Sequence, residues 1–157
     1  MSTAIEFNVT EQIREIVPNV FDMMLATPAV LTKDESPLPT GRISGTIGIA
    51  GESVTGAIYL HLPEPLARSA ACTMLGDPTG QTIGDDETND AVGELTNMVA
   101  GALKSALCDI ERHCAVSTPS VIRGVFEVEI LPELAVKKYF FNCLNHRMAV
   151  EVHLKFE

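Results

Sequence analysis

From residue 8 to 25 the apolar positions Ile13, Ile16, Val17, Val20, Phe21, Met24 and Leu25 fall three and four apart, the spacing of one helical face. Asn8, with Glu11 three residues on, supplies a capping box to start that helix. Pro18 lies inside the run and predicts a kink or a broken first turn, because it lacks an N–H and its ring crowds the preceding turn. The stretch "TPAVLTKDESPLPTG" then loses all periodicity, carries three prolines and reads as a loop.

Residues 42–50 and 54–62 are two β-rich runs around Gly51-Glu52-Ser53, the pattern of a hairpin. Pro63 and Pro65 open a short helix in "PEPLARSAACTMLG", with Gly76 where a helix-ending glycine belongs. Residues 77–90 read as an acidic loop containing Asp77, Asp85, Asp86, Glu87 and Asp90. Its charges suit the positive end of the following helix, and their spacing matches no calcium loop. That helix, "DAVGELTNMVAGALKSAL", is expected to run from residue 90 to about 112. "PSVIRGVFEVEI", "LAVKKYFFNCLN" and "RMAVEVHLKF" then alternate partially with period two and predict three consecutive antiparallel strands. The order of elements implies an α+β fold, an antiparallel sheet covered by helices, in a single domain spanning 1–157.

With no Trp and aromatic residues at 5%, the core has to be built from Val, Ile, Leu, Ala and Met. The formal net charge of -10 argues against nucleic acid and against an anionic membrane surface as partners. "MSTAIEFNVTEQIREI" lacks the basic and apolar regions of a signal peptide, and no apolar run is long enough to span a bilayer. A cytoplasmic location is therefore expected, with Cys72, Cys108, Cys114 and Cys143 as reduced, mostly buried thiols. His61, His113, His146 and His153 are scattered in sequence and form no metal-binding motif.

The helix beginning near Asp90 has two faces. Val92, Leu95, Val99, Ala102, Leu103, Ala106 and Ile110 share an arc of roughly 100°, the width of a buried stripe. Asp90, Glu94, Asn97, Gly101 and Lys104 share a second arc of about 80°. A solvated surface is the ordinary explanation for such a face. Asn97 is nevertheless a poor helix former, and Gly101 costs about 1 kcal/mol relative to Ala in a helix interior. A flat acidic face with a glycine one turn beyond Asn97 suits close docking of another macromolecule. Glu94 and Asn97, one turn apart, can reach one point about 5 to 6 Å away. No His or Cys shares the face, so the pair cannot supply a nucleophile of its own. It can orient a water inside another molecule's site, and positioning of this kind dominates phosphoryl transfer.

The spacing of Asp90, Glu94 and Asn97, D-x-x-x-E-x-x-N, resembles the signature helix of the CheC/CheX/FliY phosphatases, which act on the chemotaxis response regulator CheY. "ISGTIGIAGESVTGAIYLHL", "LARSAACTMLGD" and "STPSVIRG" resemble the family's hairpin, the helix after it and the strand that follows the active helix. CheC-type members carry the signature twice. Here the first helix has Glu15 followed by Pro18, with Asn19 one position out of register, so the pattern is the single-site CheX type.

The resemblance implies a phosphatase for the phospho-aspartate of a CheY-like regulator in chemotaxis signalling, and a homodimer joined through the sheets. It implies that Glu94 salt-bridges the regulator's active-site lysine, that Asn97 holds the attacking water, and that Asp90 is supportive. Gly101 would leave room for the regulator's loops. This chain would need no cofactor, with Mg²⁺ held by the partner regulator. The competing reading is a non-catalytic adaptor or sensor domain that binds a response regulator or a flagellar switch component. A pure binding module has no need of both Glu94 and Asn97 at this spacing. A small-molecule binding domain, the third reading, has no motif in its favour.

Overall fold

In the computed structural model, which describes residues 8–157, helix α1 spans Val9–Leu25. The Asn8 side chain accepts from the Glu11 N–H at 3.1 Å. Pro18 lies within α1 without ending it. The carbonyl it leaves unbonded belongs to Arg14, which faces solvent, while Ile13, Val17 and Phe21 on the other side are fully buried. Burial of those three side chains exceeds the roughly 3 kcal/mol that an internal proline costs.

Seven strands form one antiparallel sheet: β1 (Val30–Thr32), β2 (Arg42–Ala50), β3 (Val54–Pro63), β4 (Ala115–Val116), β5 (Ser120–Arg123), β6 (Ala135–Cys143) and β7 (His146–Phe156). Their order is β1-β6-β7-β3-β2-β4, with β5 also pairing β2. β4 and β5 are two halves of one edge: β4 pairs Ile49 and Ala50, and β5 pairs Ile43 to Thr46. Ser117 joins the halves, its N–H donating to the Gly48 carbonyl and its Oγ accepting from the Gly48 N–H, both at 2.9 Å.

The period-two pattern divides the sheet's faces. Ile43, Ile47, Ile58, Leu60, Phe141, Val150 and Val152 face the helices and form the core with α1, α2 (Glu64–Leu75) and α3 (Asp85–Asp109). Gly76 ends α2 in the left-handed region, φ 67°. α3 packs across β2 and β3 with α1 and α2 beside it.

The opposite face carries a row of buried polar groups. Ser44 Oγ lies 2.7 Å from His61 Nδ1, and Glu151 accepts from His61 Nε2 at 3.2 Å and from His153 Nε2 at 2.7 Å. A carboxylate only accepts, so both histidines donate through Nε2. The hydrogen bond from His61 leads the causes that hold the Glu151 carboxyl well below the usual range, at about 2. Two of the histidines read as scattered thus converge on one carboxylate. Ser44 is fully buried, which excludes it as a nucleophile.

Five expectations are corrected. Residues 27–41 are not all loop, because Val30–Thr32 pairs with β6, from Thr32↔Phe140 to Val30↔Asn142. The strand expected over 119–130 stops at Arg123, where Gly124 takes φ 101°. β5 therefore lies on β2, far from β6, and the last three strands are not consecutive neighbours. α3 begins at Asp85, so part of the acidic loop is helix. All four cysteines are free, but only Cys143 is buried; the other three are half-buried.

Candidate functional site

The start of α3 is built by local hydrogen bonds. Glu87 accepts from the Gly84 N–H at 2.7 Å, and the Thr88 hydroxyl donates to the Gly84 carbonyl at 2.8 Å. Asp85, Asp86 and Glu87 occupy the first turn, where the helix dipole favours negative charge. Asp77 stays in the loop, its carboxyl held far below the usual range chiefly by the Thr79 and Thr82 hydroxyls. Among the described residues no group of three acidic, His or Cys side chains is arranged to hold a metal ion.

Thr88, Ala91, Val92, Gly93, Leu95, Thr96, Val99, Ala100, Leu103 and Leu107 are the buried positions of α3. They sweep an arc of about 200° at 100° per residue, twice the expected stripe. Of the stripe residues named from the sequence, Ala102, Ala106 and Ile110 are only half-buried. The helix is covered by the sheet on one side and by α1 and α2 on others, so its solvent-facing sector is narrow. Asp90, Glu94 and Asn97 occupy that sector and are exposed.

These three residues converge on an open depression of about 310 Å³. Asn89, Asp90, Gly93, Glu94 and Asn97 form one side of it, and Pro119 and Val121 form the other. A β-carbon on Gly93 would sit 3.7 Å from both Pro119 and Val121, so the apolar edge strand closes directly onto the helix. No hydrogen bond or ion pair within the chain engages the side chains of Asp90, Glu94 or Asn97 among the described residues, which leaves their polar groups available to a visitor. Gly101 lies on the same face beyond the depression, with no atom within 4 Å of where its β-carbon would stand.

Sequence reasoning missed the opposing wall and its clamp. Arg123, the last residue of β5, donates from Nε to Asn89 Oδ1 at 2.8 Å and from a terminal nitrogen to the Asp85 carbonyl at 3.2 Å. It also pairs with the Asp85 carboxylate at 3.4 Å. This ties the edge strand to the first two turns of α3. Nothing in the spacing of Arg123 signals that role, since Asn89 and Asp85 are brought to it only by the fold.

A sequence model described as "Chemotaxis phosphatase CheX" matches residues 43–143. Among solved structures, the chemotaxis protein CheX from Vibrio vulnificus is 27% identical with a TM-score of 0.79, covering 98% of this chain and 100% of that one. A CheC-like superfamily protein from Shewanella sp. PV-4 is 26% identical with a TM-score of 0.79, covering 95% and 99%. The CheX of a CheX–CheY–BeF3–Mg²⁺ complex from Borrelia burgdorferi shares the fold at 18% identity and a TM-score of 0.71, covering 96% and 99%. A search of curated protein sequences finds no match. The matched span includes the β2–β3 hairpin, the whole of α3 and both walls of the depression, and the chain belongs to the CheX chemotaxis phosphatase family.

Proposed function

We propose that this chain hydrolyses the phospho-aspartate of a CheY-like response regulator by presenting Glu94 and Asn97 to the regulator's active site. The observation that carries this reading is the shared depression. Both side chains project, unpaired within the chain, from the one narrow sector of α3 that the fold leaves open. In the reaction a water oxygen bonds to phosphorus while the bond from phosphorus to the aspartate oxygen breaks. The carboxylate leaves with the electron pair, and the water's protons pass to phosphate and solvent. Asn97, able to donate and accept, orients the water in line with that bond. Glu94 pairs with the regulator's lysine and fixes the approach of α3. Asp90 contributes to the acidic rim, and Gly101 spares space for the regulator's loops. The reacting phosphate and its Mg²⁺ belong to the regulator in this reading.

The test is phosphate release from a phosphorylated CheY-like receiver, with this protein substoichiometric. Wild type is expected to turn over, and Glu94→Ala and Asn97→Ala to lose about 100-fold or more in rate. Full-rate release by Asn97→Ala would remove the water-positioning role. Tight binding without release by wild type would make the chain an adaptor.

The same reading includes a homodimer and a cytoplasmic location; among the described residues no helix is long and apolar enough to cross a membrane. Residues 124–131 support the dimer. They pair with no described strand, alternate between half-buried and exposed up to Glu129, and leave Val125, Ile130 and Leu131 more than half exposed. Sedimentation at micromolar concentration checks it, with a monomer as the contrary result.

A further inference from the structure

The face of the sheet turned away from the helices holds a cavity of about 520 Å³, larger than the depression on α3. Its floor is the sheet, and its roof is two segments, 35–38 and 126–128. Arg147 pins the first segment by donating to the carbonyls of Asp34 at 2.9 Å and Pro37 at 3.1 Å. Phe126 anchors the second against His61 and Tyr59, with ring centroids at 5.8 and 6.4 Å. The cavity is thus a half-open cleft bounded by these two segments, within the size range of small-molecule sites.

Two cations line it, and one of them, Arg42, has no ion-pair partner among the described residues. Arg42 is half-buried, makes no ion pair among the described residues, and its Nε is buried with no hydrogen-bond partner. In a chain of net charge -10, most other arginines are paired: Arg68, Arg123 and Arg147 each hold a carboxylate. Lys138 reaches Glu151 only at 3.9 Å and lies over the Phe140 ring at 5.8 Å. Glu151 is already engaged by two histidines, so it neutralises neither cation fully. Phe126 and Phe140 give the cavity apolar, planar walls.

We propose that this cavity binds a small monocarboxylate with an apolar, planar body, the carboxylate taken by Arg42 and Lys138 and the body by Phe126 and Phe140. The guanidinium fork matches a carboxylate, and Arg42 makes no ion pair among the described residues that would compete for it. The rest of the lining sets the ligand's charge. Glu35 and Glu127 at the rim, with Glu151 in the floor, repel a polyanion such as a nucleotide. One negative charge is what the two cations can hold.

The probe is 3-phenylpropionate, titrated into the isotope-labelled full chain and followed by amide chemical shifts. Saturable shifts are expected around Arg42, His61, Phe126 and Lys138, with a dissociation constant of about 1 mM or lower, the level a ligand of about eleven non-hydrogen atoms reaches. Replacing the carboxylate by the neutral amide, 3-phenylpropionamide, is expected to weaken binding at least about tenfold, as loss of a charge-assisted hydrogen bond does. Arg42→Ala is expected to weaken the acid by a similar factor, and the amide comparison needs no variant to fold. No saturable shift, equal affinity for acid and amide, or shifts centred on α3 would each overturn the proposal.

Discussion

The Thr96 hydroxyl stands where a side chain on Gly45 would have to go: a β-carbon built there collides with Thr96 Oγ1. That hydroxyl is held by donating to the Val92 carbonyl at 2.7 Å, so it cannot simply swing away. α3 therefore rests directly on the β2 backbone, one turn of helix from Asn97's neighbours in the depression. Gly45→Ala is expected to destabilise the fold by about 1–3 kcal/mol, the usual cost of overpacking. Thermal unfolding checks it, and adding Thr96→Ala should recover part of the loss.

Arg123→Ala separates stability from site geometry. The Arg123–Asp85 pair is largely exposed, so its removal should cost under about 1 kcal/mol. Losing the bond to Asn89 should free the first turns of α3 and the facing strand. Faster amide exchange over residues 85–89, with a KM for phosphorylated receiver raised more than kcat falls, is the expected signature. Unchanged exchange there would mean the clamp is not holding the helix.

Acid should act through Glu151. Its folded pKa, about 2, lies below the ordinary glutamate value, so the carboxylate's contribution is present above that ordinary value. It is lost as pH falls from about 5 toward 2, and amounts to up to about 3 kcal/mol. Glu151→Gln should be less stable at neutral pH and should show a flatter decline across that window in denaturant titrations. An equally steep decline would assign the acid sensitivity to other carboxylates.

The β6–β7 turn is strained by its residues. Leu144 and Asn145 both adopt positive φ, 49° and 63°, and Leu144 is exposed. A two-residue hairpin with both central residues in that region prefers Asn-Gly. Changing Leu144→Asn with Asn145→Gly should stabilise the protein by about 1 kcal/mol or somewhat more, measured as a higher melting temperature.

What the sequence reveals follows how local the cause is. The Asn8 cap, the β2–β3 hairpin, the Gly76 stop and the polar sector of α3 depend on neighbours within a few residues, and each is where the pattern puts it. β1 and β4 are too short to carry a period, and exist because β6 and β2 offer them partners. Residues 125–129 alternate as a strand should, yet pair with no described strand, since alternation records which side faces inward and not whether an edge is available. Within the site, Asp90, Glu94 and Asn97 lie on one helix and share a period. Pro119, Val121 and Arg123 reach it across the chain, and only the β2 register brings them there.

The division of the depression between a helix and an edge strand has an evolutionary consequence. The residues proposed for chemistry lie on α3, whose other sides are locked into the core, whereas the facing wall is a short edge segment whose only strand partner is β2 and whose tie to α3 is Arg123. Related copies in one cell could therefore come to prefer different regulators by drifting at residues 117–123 while α3 stays the same. Exchange of that segment between paralogues should carry partner preference with it and leave the chemistry behind.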